Sequence, residues 1–228
     1  EAVFLQVLNM SFTAGVTALV VMAARLLLRR APRAALFALW GVVLFRLVCP
    51  FTLESAMSLL PANPQPIKSE IVYAARPQVH TELPLVDNAV SAGLPVPRPE
   101  ASVNPLQIWT AAGALIWVLG MAGMAAHSAL SLARLKRRLR GAQGGQDRVW
   151  IVPGLETAFV LGAVRPRIYL PAELNEREKE YILLHERTHI RRGDHLFKLA
   201  GYLALCVHWF NPLVWAAFLL SGRDMEMA

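Results

Sequence analysis

Hydrophobic residues fall along this chain in long runs, and polar ones collect between them. Val3 to Leu28 is almost uninterrupted, with Arg25 near its end. Ala34 to Val48 is shorter, carries Arg46, and can extend through Leu60. Ile108 to Leu135 is the third run, with Trp109 and Trp117 near its start. About 20 consecutive apolar residues cross a bilayer, so the pattern predicts three transmembrane helices. The segment between the second and third, residues 51–105, is broken by Pro61, Pro64, Pro66, Pro77, Pro84, Pro95, Pro97 and Pro99. It is expected to be extended or irregular, with few regular elements. A plain connector fits it slightly better than a docking surface, and the chain shows no internal repeat.

The pattern changes after Arg140. Gly141, Gly144 and Gly145 mark a linker. Val149-Trp150-Ile151-Val152 and Arg167-Ile168-Tyr169-Leu170 read as short strands ended by Pro153 and Pro171, with Phe159-Val160-Leu161-Gly162 between them. A helix follows. Asn175 suits its N-cap and Glu178 the partner position of a capping box; Arg191 and Arg192 suit its last turn, and Gly193 its stop. The remainder is apolar enough to resemble another span, but Asn211-Pro212 is an N-cap and N1 pair that starts a new helix. Each half, at about 1.5 Å per residue, reaches only on the order of 20–25 Å, short for a bilayer. The expectation is a helical hairpin, out along 195–209 and back along 212–226.

Composition agrees with a membrane protein: 55% of the 228 residues are hydrophobic and 17% charged. The net charge of +7 raises nucleic acid as a partner, but the placement of the charge argues against it. Arg25 ends the first run, with Arg29, Arg30 and Arg33 between it and the second; Arg134 ends the third run, with Lys136, Arg137, Arg138 and Arg140 after it. Those are cytoplasmic positions under the positive-inside rule, and no aromatic residues interleave them as a strand-binding surface needs. The expected topology has the N-terminus outside, the 51–105 loop outside, and everything after residue 136 inside. The first run lacks a basic segment before it, so it reads as a retained span and not a cleaved leader. Cys49 and Cys206 fall at different levels of this topology, which predicts neither a disulfide nor a cysteine metal site.

The chemistry is concentrated in His185-Glu186-Arg187-Thr188-His189. On a helix, positions i and i+4 share a face, so both imidazoles can reach one ion, and Glu186 is left to work on a water. This HExxH pattern points to zinc. A catalytic zinc takes three protein ligands and keeps one position open. Glu226 is the choice for the third, because the hairpin brings it back and it ends an apolar helix. Asp224 points to another side of that helix and is the weaker candidate. Asp194 is either an acceptor for a ligand imidazole N–H or the N-cap of the next helix. His208 can be read as an oxyanion donor, but a core or interfacial histidine fits better. His127 and His195 read as structural.

Taken together, these residues resemble the bacterial beta-lactam sensor-transducers, the BlaR/MecR-type integral-membrane metallopeptidases. The resemblance rests on Phe159-Val160-Leu161-Gly162 with Arg165-Pro166-Arg167-Ile168-Tyr169-Leu170-Pro171, on His185 through Asp194, on His208-Trp209-Phe210-Asn211-Pro212-Leu213-Val214-Trp215, and on Asp224-Met225-Glu226. Arg46-Leu47-Val48-Cys49-Pro50-Phe51 and the spacing between motifs fit as well. It implies His185, His189 and Glu226 as zinc ligands and Glu186 as catalytic base. The implied fold class is mainly α and multi-pass: transmembrane helices in 1–50 and 106–135, the extracytoplasmic loop 51–105, and a cytoplasmic α+β, gluzincin-like zinc protease domain with a small sheet in 136–228.

The resemblance also implies an integral zinc endopeptidase of the bacterial plasma membrane, cutting a cytoplasmic protein (a transcriptional repressor, or itself) in signal transduction tied to antibiotic response. The family pattern continues past the glutamate with a small residue and then Cys-Asp, whereas this sequence stops at Ala228, so a missing C-terminal span or sensor domain is expected. Two other readings compete: a housekeeping membrane metalloprotease, and a non-catalytic transducer in which the motif is vestigial. The intact His185, Glu186, His189 and Glu226 set argues against the last.

Overall fold

Length and composition decide the longest elements. In a computed structural model, which describes residues 1–28, 33–49, 67, 71, 79, 84–94, 105–144 and 146–227, the first apolar run is helix α1 (Ala2–Leu27). Arg33–Val48 forms α2, Pro84–Gly93 α3, and Pro105–Arg138 α4, which a 3-10 turn extends to Gly141. α1 and the extended α4 are each long and apolar enough to cross a membrane. α2, with 16 residues, falls short of the usual span on its own, and any extension toward Leu60 lies outside the described residues. So do residues 29–32 and most of the 51–105 segment. The described part of that segment contains α3, a regular element where proline spacing predicts few.

After α4 come β1 (Gln143–Gly144), β2 (Val149–Val152), β3 (Phe159–Leu161) and β4 (Arg167–Pro171), followed by α5 (Glu176–Arg192), α6 (Asp194–Val207) and α7 (Pro212–Glu226). Packing divides the chain into a helical unit, Glu1–Gly123 with Ala204–Ala228, and a sheet unit, Met124–Leu203. Residues 136–228, expected as one domain, are therefore shared between the two. The secondary structure is mostly helical with one small mixed sheet.

In the helical unit α1 packs on α2 and α7, and α2 on α7. Small residues make the close approach possible: Ala14 and Ala18 are fully buried, and a Cβ on Gly15 would sit 3.3 Å from the Leu213 side chain. Trp40, Val43, Leu47, Val214, Ala217 and Met225 fill the core between the helices. A second cluster joins Leu5 of α1 to Ile71, Val79 and Leu106. Asn9 holds Ile67, donating to its carbonyl at 2.8 Å and accepting from its N–H at 3.0 Å. Asn211 caps α7 by accepting from Leu213 N–H, and its amide donates to the Ser11 carbonyl and hydroxyl. α4 is tied in by Trp117, whose indole N–H donates to the Val207 carbonyl, while Trp209 donates to the carbonyl of Trp117. Gly120 leaves the room for that ring: a Cβ there would fall 2.1 Å from it.

The sheet unit has strand order β1-β2-β4-β3. β2 and β4 run parallel, and β1 and β3 pair antiparallel on the outside. Ile168 and Leu170 of β4 face one side and are buried; Tyr169 stacks with Phe159 and Trp150 on the other. The return from β3 requires Gly162, whose φ is 114° and where a Cβ would fall 2.8 Å from the Arg165 carbonyl oxygen, which excludes a side chain. α5 packs against β3 and β4.

Candidate metal centre

α5 is set by its ends. The Asn175 side chain accepts from Glu178 N–H at 2.9 Å, and the Glu178 carboxylate accepts from Asn175 N–H at 2.9 Å, a reciprocal capping box. Gly193 closes the helix in the left-handed region, φ 75°, and its N–H bonds back to His189 and Ile190 carbonyls. No residue of α5 is fully buried, so its cap and its packing on β3 and β4 hold it rather than a buried stripe.

One turn of this helix carries the chemistry. His185 is exposed, and Glu186 and His189 are half-buried. The two imidazoles meet edge to face, with Nε2 of one 3.1 Å from Nε2 of the other. Two nitrogens bound to one tetrahedral zinc at about 2.0–2.1 Å would stand roughly 3.3 Å apart, so the pair has a ligand spacing. Behind it lies Asp194, buried at 2% exposure at the start of α6. Its carboxylate accepts from His189 Nδ1 at 2.7 Å and lies 3.6 Å from Arg192 Nε. Placing the proton on Nδ1 leaves the Nε2 lone pair of His189 directed away from the carboxylate, on the side of the His185 ring. The donor set therefore fits a zinc-type ion. His195, beside Asp194, bonds through Nε2 to the Ala163 carbonyl.

The family model described as the BlaR1 peptidase, M56, matches residues 5–228. The chain belongs to the M56 peptidase family. Among curated relatives, this M56 chain is 27% identical over 136 residues to the regulatory protein BlaR1 of Bacillus licheniformis, covering 50% of this chain and 23% of that one. It is 30% identical over 76 residues to the methicillin resistance mecR1 protein of Staphylococcus aureus, covering 32% of this chain and 13% of that one. The mecR1 protein of Staphylococcus epidermidis matches to the same extent. The matched segments are thus about a quarter or less of those relatives' length.

His127 lies in the sheet unit, and Glu226, Asp224 and His208 in the helical unit. Glu226 is the last residue of α7 and is exposed. Asp224, two residues earlier, is buried and held: Arg25 of α1 donates to both carboxylate oxygens at 2.8–3.0 Å, and Trp40 of α2 donates its indole N–H at 2.8 Å. That engagement leaves Asp224 as the buried tie between three helices. His208 has no exposed surface, and its Nε2 donates to the Leu47 carbonyl at 3.0 Å, bracing the end of α2. Sequence reasoning missed Arg25 and Trp40 as partners of Asp224. The available signal was charge: an aspartate in an apolar helix needs a cation, and Arg25 stands near the end of another apolar run.

Proposed function

We propose that this chain is the membrane-embedded protease portion of an M56 signal-transducing peptidase, hydrolysing peptide bonds in a cytoplasmic protein. The observation that carries the reading is the paired Nε2 atoms of His185 and His189 with Asp194 behind them, in a chain that belongs to a peptidase family. His185, His189 and Glu226 are the proposed zinc ligands. The two imidazoles leave a third donor to be found, and a carboxylate at the end of α7 is the donor type that HExxH hydrolases of this kind use. Zinc bound there would act as a Lewis acid, lowering the pKa of water toward about 7 and polarising a carbonyl.

The residues of the chain do the rest. Glu186, next to His185, takes the proton of the attacking water and passes it to the leaving amine. Asp194 keeps the His189 ring in one tautomer and orientation. β3 pairs only with β4 in the sheet order and packs on α5, so its outer edge offers main-chain groups to an extended peptide beside the motif helix. Such recognition accepts many sequences, which suits a protein substrate. α1 and α4, with α2, are read as spans of the bacterial plasma membrane, N-terminus outside and motif helix on the cytoplasmic side. A role in antibiotic response is suggested by the name of the matched methicillin resistance mecR1 protein, and a transcriptional repressor or the chain itself as substrate is carried over from the family resemblance of the motifs.

The test is elemental zinc per chain together with cleavage, on detergent-purified protein. Wild type should hold one zinc per chain, His185→Ala none. Glu186→Ala should keep its zinc and lose cleavage by roughly 10²–10⁴-fold. Undiminished cleavage in Glu186→Ala would remove that residue from the mechanism, and wild-type protein that binds no zinc would remove the metal.

A further inference from the structure

The M56 reading makes no use of a second feature of the sheet unit. A cavity of ≈ 550 Å³ opens between the last turns of α4 and the face of the sheet that carries Trp150 and Tyr169. Its wall holds Lys136 and Arg140 from α4 and the turn after it, and Arg165 and Arg167 from the approach to β4. No carboxylate lines it, and among the described residues none of these four cations is paired with one. Four like charges facing one cavity repel each other unless an anion joins them. The Arg167 guanidinium lies 5.3 Å over the Trp150 ring, which holds it in place without neutralising it.

The approach to this cavity is apolar. Leu132 and Lys136 share one face of α4 at four-residue spacing, and Arg140 follows in the 3-10 turn, so the path passes from hydrocarbon to cation. Leu132 is 41% exposed and Leu130 57%. Arg134, Arg137 and Arg138 fill out the same basic step in the sequence. Arginine forks match phosphate oxygens, and Trp and Tyr side chains favour the level of lipid headgroups. An acidic peptide would satisfy the cations and leave the leucines bare, whereas a phospholipid answers both.

We propose that this cavity binds the phosphate of an anionic phospholipid, with an acyl chain along the exposed leucines of α4. The proposal rests on the reading of α4 as a membrane span. A bound lipid would tie the end of that span to the sheet, and would make the order of the sheet unit depend on the lipid around it.

The experiment uses the whole chain in bilayers of equal phosphatidylglycerol and phosphatidylcholine, with bound lipid identified by native mass spectrometry after release. Wild type should retain phosphatidylglycerol in strong preference. The double variant Arg165→Gln/Arg167→Gln should lose that preference by roughly 20-fold, about fivefold per cation, while Arg177→Gln on α5 keeps it. Equal retention of the two lipids by wild type, or a preference unchanged in the double variant, overturns the site. Displacement of phosphatidylglycerol by inorganic phosphate or by a polyglutamate peptide would reassign the cavity to a soluble anion or to an acidic protein, and overturn the lipid. An alkaline carbonate wash of the same membranes separates the two readings. Release of the chain would overturn the spanning reading and the lipid site together; retention without a lipid preference overturns the lipid site alone.

Discussion

The helical unit and the sheet unit treat polar groups in opposite ways. In the helical unit the buried carboxylate is enclosed and answered on the spot. Asp224 is 3% exposed with Arg25 and Trp40 on its oxygens; His208 is 0% exposed, with its Nε2 on the Leu47 carbonyl and its Nδ1 without a hydrogen-bond partner among the described residues. In the sheet unit the motif helix has no fully buried residue, and its two histidines turn their Nε2 atoms toward each other. Only Asp194 behind them is enclosed. A buried polar group with its partners fixed specifies packing; a pair of ring nitrogens at ligand spacing outside the core is placed for a cation. The difference separates structural polarity from chemical polarity without reference to any motif.

Breaking the enclosed network should have the largest effect on stability. Asp224→Ala removes the acceptor of Arg25 and Trp40 together and leaves a guanidinium and an indole N–H without it. Removing one partner of a buried pair costs about 3–5 kcal/mol, and the 26% exposure of the Arg25 side chain favours the low end. Unfolding in detergent should register a loss of about 3 kcal/mol. Replacing Arg25 and Asp224 together by Met and Leu should recover much of it, because no charge is then stranded. A loss under about 0.5 kcal/mol for Asp224→Ala would mean that water answers the pair as at a surface, and the contrast between the units would fail.

How much of this was legible in the sequence follows from the range of each interaction. α1 and α4 follow from run length, and α5 and α7 from their caps, since Asn175, Glu178, Gly193, Asn211 and Pro212 act within four residues of themselves. The three longer strands were visible as apolar runs between prolines. β1 was not, because Gln143 and Gly144 carry no alternation, and neither was the parallel pairing of β2 with β4, which a local pattern cannot register. At the site, the His185 and His189 spacing is a helical period and could be read directly. The Asp224 network could not: Arg25 is 199 positions away and Trp40 184, and no periodicity links them. Asp194 had two readings of equal standing in sequence; its bond to His189 depends on the Gly193 turn that swings α6 away from α5.

Asp194 sharpens the comparison from the other side, as a buried residue whose loss should be felt by the metal more than by the fold. Asp194→Ala frees the His189 ring to rotate and to change tautomer. Loss of such a supporting carboxylate lowers metal affinity by about 10–100-fold. Competition with a chelator of known affinity should show that drop for zinc. Asp194→Asn should recover part of it, because the amide oxygen still accepts from Nδ1. A variant with wild-type zinc affinity would mean that Asp194 serves only as the first residue of α6.

The smallest effect tests whether α5 is held by its end. With no buried residue along its length, this helix has little packing to compensate for a lost cap. Asn175→Ala removes the acceptor for Glu178 N–H, at a usual cost of about 1 kcal/mol. The substitution should raise amide hydrogen exchange in the first turn of α5 by roughly fivefold and leave α1 and α7 unchanged. Because His185 lies more than two turns from Asn175, zinc binding should survive it. Exchange that rises through His185 and His189 as well would mean that the motif turn unfolds with the cap, and that the openness of the site is bought by a helix that closes only when the metal is bound.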